Sequence, residues 1–326
     1  MKKHYLISLI IFGGYLNLVS QDFKIEKITN KIIACNCFLK EEHRSFTILS
    51  QEGMIQIDTY YYPWMTEKAK KMIIEETDRA DFKYFINTHA HTCHVGGNQY
   101  FNDAIYIAQN RTRDKIEWFI NNDQKKYNKL LDIDSKDSSQ LKQLNELKYQ
   151  IENRKLPQIT FQDKLTFYQN DITVHLIYFG ECGHSDDEIL IHIPEEKTLI
   201  IGQIFHGSTY LPIIKWTPTR NDLERKINVM TELLETDLEH ILSNHPGEID
   251  ISDFKFAHDY YVDLLTNIED LRNKSYSLEQ IQSEFKFKNR YPEINEKHNM
   301  KADRENVHIK NVENVWNMIE REKENL

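Results

Sequence analysis

A short histidine-rich segment constrains the fold of this chain more than any other feature. His89, His91, Cys93 and His94 form the pattern H-x-H-x-C-H, with two glycines after it and the apolar run Phe82–Ile86 before it. A strand that ends in a tight loop holds its side chains rigidly, so several imidazoles can point at one spot. Imidazole and thiolate are ligands of borderline cations such as zinc. The segment therefore predicts a metal site at a strand end, and a histidine-rich surface loop is the alternative.

The composition is that of an ordinary globular protein. The chain has 326 residues, of which 40% are hydrophobic and 28% are charged, and this length allows one large core or a core with an appendage. The net charge of −10 argues against nucleic acid or an anionic membrane as a partner.

The N-terminus has the order of an export signal. Residues 1–4 form a short basic segment, and residues 5–16 form an almost unbroken apolar segment. Residues 18–20 then have small or apolar side chains before Gln21. We therefore predict a cleaved signal peptide over residues 1–20 and a periplasmic or secreted mature protein. A buried strand or an uncleaved anchor are the alternatives. No later run approaches the roughly 20 apolar residues of a membrane-spanning helix, so none is expected in the mature chain.

Strand-like and helix-like patterns alternate along the chain in two halves, which predicts an α/β sandwich. Residues 111–154 differ because they are strongly charged, lack glycine and proline, and space their apolar side chains at helical intervals. We interpret them as helices inserted between the two sheet-forming halves. Beyond Ser252 the chain is again helical and charged.

Two further histidines follow predicted strands. His184 comes after the strand-like residues 172–179, and His245 comes after residues 240–243. Taken singly, each is more often a loop or core histidine than a ligand. Their repeated place at strand ends, close to glycine, makes them candidate ligands of the site that contains His89 and His91.

In this order the motifs resemble the signatures of the metallo-β-lactamase superfamily, over about residues 23–250. They are the H-x-H-x-D-H motif, the G-H-S element, the late strand-end histidine and the supporting aspartate. The matching positions are His89, His91, Cys93 and His94, then Gly183, His184 and Ser185, then His245, and upstream Asp58. The long helical insert and helical tail are similar to exported members outside the true antibiotic-degrading enzymes.

The resemblance implies an αββα sandwich with the metals in a cleft at one edge of the sheets. It implies a metallo-β-lactamase-like domain at residues 21–250, with a helical insert at residues 111–156. Residues 251–326 are then expected to form a helical C-terminal extension that packs on the same domain.

The resemblance also implies a first zinc ion, held by His89, His91 and His184. Three neutral imidazoles leave a position open for water, whose pKa zinc lowers toward about 7. Asp58 would orient a ligand histidine through a hydrogen bond. The expected function is an exported zinc-dependent hydrolase that uses metal-bound hydroxide on a small-molecule ester, amide, thioester or sulfate-type substrate.

A second zinc ion would be bound by Cys93, His94 and His245, but this site departs from the family pattern. Cys93 stands in place of an aspartate, and Gln203 stands where many members have an aspartate that bridges both metals. A thiolate suits a soft ion, whereas a neutral amide replaces a bridging carboxylate poorly. One or two zinc ions are therefore expected, with iron as the alternative metal.

Cys182 lies two residues before His184, so it is expected near Cys93. Cys93 is then a thiolate ligand, a free thiol, or half of a disulfide with Cys182, and the sequence leaves all three open. The general acid or base is also open, with His206 and Glu181 as candidates.

Two other functions compete with hydrolysis. Some relatives use a single iron for sulfur oxidation, and the altered second site resembles that loss, but such members usually keep the aspartates that are missing here. A non-catalytic binding protein on a decayed scaffold is the third hypothesis. The aromatic residues Tyr60, Tyr61, Tyr62 and Trp64 form either a cleft wall or core packing. The substrate itself has no readable code in the sequence.

Overall fold

The computed structural model describes residues 22–39, 43–133, 136–181, 183–206, 211–215, 218–245, 249–297 and 304–324. The predicted signal peptide and Cys182 lie outside these residues. Within them, ten α-helices accompany the sheets. The helices are α1 Pro63–Thr77, α2 Thr92–Val95, α3 Asn110–Leu131, α4 Ser138–Asn153, α5 Arg220–Leu234, α6 Ile251–Asn273, α7 Leu278–Glu284, α8 Phe287–Arg290, α9 Pro292–Lys297 and α10 Arg304–Glu324, with 3-10 turns at Asn98–Phe101 and Pro194–Glu196.

The first sheet contains seven strands in the described part of the chain, and their spatial order follows the sequence. The strands are β1 Phe23–Lys27, β2 Ile32–Cys37, β3 His43–Ser50, β4 Gly53–Ile57, β5 Phe82–Ile86, β6 Ile105–Gln109 and β7 Ile159–Phe161. Strands β1 to β4 pair antiparallel, and β4 to β7 pair parallel. The carboxyl ends of β4 and β5 therefore meet at one edge.

The second sheet has the order β14-β11-β10-β9-β8 among the described strands, and β12 and β13 form a separate pair. The strands are β8 Lys164–Tyr168, β9 Thr173–Tyr178, β10 Ile189–Ile193, β11 Thr198–Ile200, β12 Phe205–His206, β13 Leu211–Pro212 and β14 His240–Leu242. Strand β14 pairs parallel to β11, while the other pairs in this sheet are antiparallel.

The sheets lie face to face, with helices on both outer faces. Alternation along β10 shows this directly, because Ile189, Ile191 and Ile193 contribute to the core between the sheets and Leu190 faces the helices. On the other side of the molecule, α1 and α3 cover the first sheet with side chains such as Ile73. The predicted αββα sandwich is thereby confirmed.

The charged insert occupies a different place from the one expected. Helices α3 and α4 lie between β6 and β7, which are neighbouring strands of the first sheet, and not between the two halves. Because β6 and β7 are parallel, the chain must cross back over the sheet between them, and a helical connection provides that crossover. The strand-like pattern of residues 159–167 accordingly covers two strands, β7 and β8, in different sheets.

The C-terminal helices pack on the outer face of the second sheet. Val312 and Val315 of α10 are fully buried in the cluster that also contains Tyr261 of α6 and Leu199 of β11. The proposed extension thus shares its core with the second sheet. No helix within the described residues has the length and apolar character needed to cross a membrane.

Candidate metal centre

Strand ends gather the candidate residues at one edge of the two sheets. Asp58 follows β4 and His89 follows β5, whose carboxyl ends adjoin because the strands are parallel. His91 is the N-cap of the single-turn helix α2, and Cys93 and His94 lie within that turn. His184 follows β9, and His245 follows β14.

Close packing fixes the end of α2 against the first turn of α1 and the segment before it. A Cβ added to Gly96 would lie 2.2 Å from the backbone oxygen of Tyr61, and one added to Gly97 would lie 1.8 Å from Oγ1 of Thr66. Neither position has room for a side chain, so the two glycines after the histidine motif are required by contact. Thr59 is also held here, because its Oγ1 donates to the carbonyl of His94 at 2.9 Å.

His89, His91 and His184 form the first group of candidate ligands. One nitrogen from each ring lies within 4.8 Å of the others, and Nε2 of His184 is 2.9 Å from Nδ1 of His91. Two nitrogens bound to one tetrahedral zinc are about 3.3 Å apart, so this spacing suits one ion. Three ligands leave one tetrahedral position open.

The second group joins three expected residues to one that was not expected from the sequence. Cys93, His94 and His245 are accompanied by His43 of β3, and their ligand atoms all lie within 4.8 Å of one another. Within the described residues, neither group contains a carboxylate. His43 has no sequence motif around it; the available signal was its place at the start of a strand antiparallel to β4, which brings it to the same edge.

The imidazoles of both groups are in the neutral form that binds metals. Burial lowers the pKa of His184 to about 3 and that of His245 to about 4, and it holds the pKa of His89 and His94 well below the usual value. Nε2 of His89, His94 and His245 is buried without a hydrogen-bond partner among the described residues. Buried polar atoms normally have partners, so these nitrogens fit a bound cation.

Asp58 controls the orientation of two rings. Its Oδ2 lies 2.9 Å from Nδ1 of His94 and accepts a hydrogen bond from Oγ1 of Thr88 at 2.6 Å. Thr88 Oγ1 in turn lies 3.2 Å from Nδ1 of His89, which donates to it in the matching tautomer. Both rings thereby direct Nε2 away from Asp58, as ligand histidines with a carboxylate partner do. Burial raises the pKa of Asp58 to about 6.

Asp187, which was not expected from the sequence, fixes the backbone between two candidate ligands. Its Oδ2 accepts from the N–H of Ala90 at 2.8 Å and from Thr112 Oγ1 at 2.9 Å, while Oδ1 accepts from Lys115 at 2.6 Å. Ala90 separates His89 from His91. The signal available in the sequence was an acidic run directly after the G-H-S element.

Gln203 stands close to a buried carboxylate that is outside both groups. Its N–H donates to Oε1 of Glu188 at 2.6 Å, and a Cβ on Gly202 would lie 2.9 Å from the same oxygen. Gly202 has φ 55°, a conformation that favours glycine. Burial raises the pKa of Glu188 to about 7. Of the two acid–base candidates, Glu181 forms an ion pair with Arg111, and the side chain of His206 lies outside the described set.

A cavity of about 380 Å³ opens beside the second group and is lined by His43, Cys93 and His245. Tyr61 and Tyr62 also line it and are about half exposed. Of the two alternatives for this aromatic run, cleft wall and core packing, Tyr61 and Tyr62 therefore match the cleft wall.

Trp64 joins the cleft wall and is 51% exposed. Tyr60 is 1% exposed, and its hydroxyl donates to the carbonyl of Cys35 at 2.5 Å, so it belongs mainly to the core.

Solved structures share this fold at low sequence identity. The metallo-β-lactamase from Pontibacter korlensis is 16% identical, and the match covers 74% of this chain and 99% of that chain with a TM-score of 0.50. TMB-1 is 14% identical, and the match covers 74% of this chain and 97% of that chain with a TM-score of 0.51. The DIM-1 metallo-β-lactamase is 14% identical, and the match covers 74% of this chain and 97% of that chain with a TM-score of 0.50. No protein-family model matches the chain. The chain has the metallo-β-lactamase fold that its motifs predict.

Proposed function

We propose, from the metallo-β-lactamase fold of this chain and the ligand groups at its sheet edge, that it is a zinc-dependent hydrolase of a small-molecule substrate. The observation that carries the proposal is the first group, in which His89, His91 and His184 converge with neutral rings. Three protein ligands with an open fourth position are the usual arrangement of catalytic zinc, whereas structural zinc has four.

The side chains around the first group prepare it for a metal. His89 is oriented by Thr88 and Asp58, and the backbone between His89 and His91 is fixed by Asp187. These hydrogen bonds hold the rings in place, so little rearrangement is needed when an ion binds. Zinc bound there would supply Lewis-acid activation of water and of the scissile group.

The cavity beside the second group suits a substrate with an apolar or aromatic portion. Tyr61, Tyr62 and Trp64 present ring surface to it. Aromatic walls bind such groups by excluding water and by stacking. The cavity also adjoins Cys93 and His245, so a substrate portion bound there would lie next to the metal ligands.

A panel of chromogenic substrates tests the proposal. Esters, thioesters, lactones, amides and sulfate esters, each with a short alkyl and an aryl variant, are offered to the zinc-loaded protein and to His184→Ala. We expect turnover of at least one class, preference for the aryl variant, and loss of turnover in His184→Ala. His192→Ala is the control, because His192 is 7% exposed and lies outside both groups.

Absence of turnover across the panel, or equal turnover by His184→Ala, would contradict the hydrolase proposal. The sulfur-oxidising alternative would be favoured if the natively purified protein contained iron instead of zinc and oxidised a thiol substrate. Export is tested separately: the full chain is expected in the periplasm or medium with residues 1–20 removed, and a variant lacking them is expected to stay in the cytoplasm.

A further inference from the structure

His43 is a buried imidazole without a hydrogen-bond partner in the part of the chain that the structure describes. It is 4% exposed, and neither Nδ1 nor Nε2 is hydrogen-bonded within the described residues. A neutral histidine offers one donor and one acceptor, and buried groups of this kind are almost always satisfied. A cation is a suitable partner for the nitrogen that carries a lone pair.

The surroundings of His43 contain other ligand atoms. Its ligand nitrogen lies within 4.8 Å of Sγ of Cys93 and of ring nitrogens of His94 and His245. The ring centroid of His43 is 4.5 Å from that of His94 and 5.3 Å from that of His245, with the rings near perpendicular in both pairs. Perpendicular rings at this distance can direct their nitrogen edges toward one point, which stacked rings cannot do.

The backbone holds His43 beside His245 by specific hydrogen bonds. Arg44 N–H donates to the carbonyl of Asn244 at 2.7 Å, and Asn244 Nδ2 donates to the carbonyl of Arg44 at 2.9 Å. Asn244 is fully buried. This reciprocal pair joins segments 200 residues apart in sequence, so the residues directly before Arg44 and directly after Asn244 are set side by side.

We propose that the second group is a closed metal site with four protein ligands, one thiolate and three imidazoles, in which His43 is the fourth ligand. The inference rests on the proposed function for the presence of metal and adds a ligand to it. A four-ligand site is the arrangement of structural zinc, whereas the first group keeps an open position. The two sites therefore have different tasks, with the second ion holding β3, α2 and the loop after β14 together.

Metal binding by the variant His43→Ala tests this inference. The control variant is His192→Ala, which also loses a buried imidazole. After gel filtration against a weak chelator, wild type and His192→Ala are expected to retain two zinc ions per chain and His43→Ala one. Affinity at the second site should fall by more than the roughly 100-fold that loss of an outer hydrogen-bond partner can cost. Retention of two ions with unchanged affinity in His43→Ala would overturn the inference.

Thermal unfolding separates a ligand role from packing. If His43 is a ligand, metal-free wild type and metal-free His43→Ala unfold at similar temperatures, and the difference appears when zinc is added. An equal difference with and without zinc would mean that His43 only packs, and the inference would be wrong.

A wild-type measurement avoids any folding defect of the variant. In histidine ring ¹⁵N NMR, saturation with zinc is expected to change the ligand nitrogens of six rings, the three of the first group and three of the second, whereas five would contradict a role for His43. Hydrolysis is measured on the same samples. Six changed rings without hydrolysis would refute the proposed function and keep this inference, while five with hydrolysis would do the reverse.

Discussion

A single carboxylate, that of Asp58, orients candidate ligands of both groups. Asp58 contacts His94 directly and reaches His89 through the hydroxyl of Thr88. The same side chain accepts from the backbone N–H of Thr88 at 2.8 Å, so its own position is fixed. The two groups therefore share one orienting residue, and their metal affinities should depend on it together.

Substitutions at Asp58 and Thr88 should separate these effects. Asp58→Ala is expected to weaken metal binding at both groups by about 10- to 100-fold, because His94 loses its carboxylate partner and Thr88 loses the carboxylate that orients its hydroxyl toward His89. Thr88→Val should weaken the first group more than the second, since it removes the link to His89 and leaves the contact of Asp58 with His94. Competition with a chromophoric zinc chelator measures both affinities, and Ser50→Ala is a buried polar control away from the site. Equal losses at both groups in Thr88→Val would contradict the relay.

Glu188 should make the stability of the metal-free protein depend on pH. Burial raises its pKa from 4.5 to about 7, so between these values the folded state binds more protons than the unfolded state. The contribution of Glu188 to the free energy of unfolding is therefore fully present below about pH 4.5. It is lost as the pH rises through about 7, and the free energy of unfolding falls by about 3 kcal/mol at most. Glu188→Gln should remove this fall.

Urea unfolding at pH 5 and pH 8 measures the effect of Glu188. Exposed Glu232 provides the control variant Glu232→Gln, which should keep the wild-type dependence. An unchanged pH dependence in Glu188→Gln would show that Glu188 does not titrate with a raised pKa in the folded protein.

Single elements of the structure could be predicted where local pattern and local chemistry agree. Residues 64–77 have helical periodicity and follow a proline, a pattern that predicts a helix. The structure has α1 Pro63–Thr77 there, with the proline at its first position. The rough alternation of residues 23–38 is typical of a single strand, but these residues form β1 and β2, because Thr29 Oγ1 accepts from the N–H groups of Lys31 and Ile32 and closes a turn. Apolar alternation alone does not reveal such a turn.

The contact of α2 with the segment before α1 predicts a strict size limit at Gly96. In Gly96→Ala the new methyl group would meet the carbonyl of Tyr61, and backbone cannot move aside as a side chain does. We expect a loss of about 1–3 kcal/mol in the free energy of unfolding and weaker metal binding, since α2 carries Cys93 and His94. Thr92→Ala, at an exposed position of the same helix, is the control. A wild-type melting temperature and metal content in Gly96→Ala would be inconsistent with this packing.

The fold and most of the candidate metal centre were predictable because the motifs that resemble the superfamily are local in sequence. His89, His91, Cys93 and His94 fall within one turn-rich segment, and each later motif sits beside glycine at a strand end. His43 was not predicted, since no motif surrounds it and the tertiary pairing of β3 with β4 and with Asn244 brings it to the edge.

The placement of the charged insert was unpredictable for a similar reason. Its position between β6 and β7 depends on which sheet the short strand Ile159–Phe161 joins. Three residues carry too little pattern to show this in a sequence.

The C-terminal helices should be required for folding, because α10 completes the core on the outer face of the second sheet. Val315 is fully buried there, and Asn311 donates to the carbonyl of Pro212 at 2.7 Å and accepts from the N–H of Ile214 at 2.9 Å. Val315→Asp is expected to destabilise the protein by about 3 kcal/mol or more, since it buries an unpaired charge. Exposed Lys310→Ala should have little effect. Chemical denaturation compares the two, and near-native stability of Val315→Asp would mean that the extension does not share the core.

Metal content, measured by mass spectrometry on protein purified without added metal, tests the central claim most directly. Wild type is expected to carry two zinc ions per chain, and His184→Ala is expected to lose one of them together with all hydrolytic activity. A folded wild-type protein that carries no metal, or a His184→Ala variant with full metal content and full activity, would contradict the assignment of this edge as a metal-dependent hydrolytic centre.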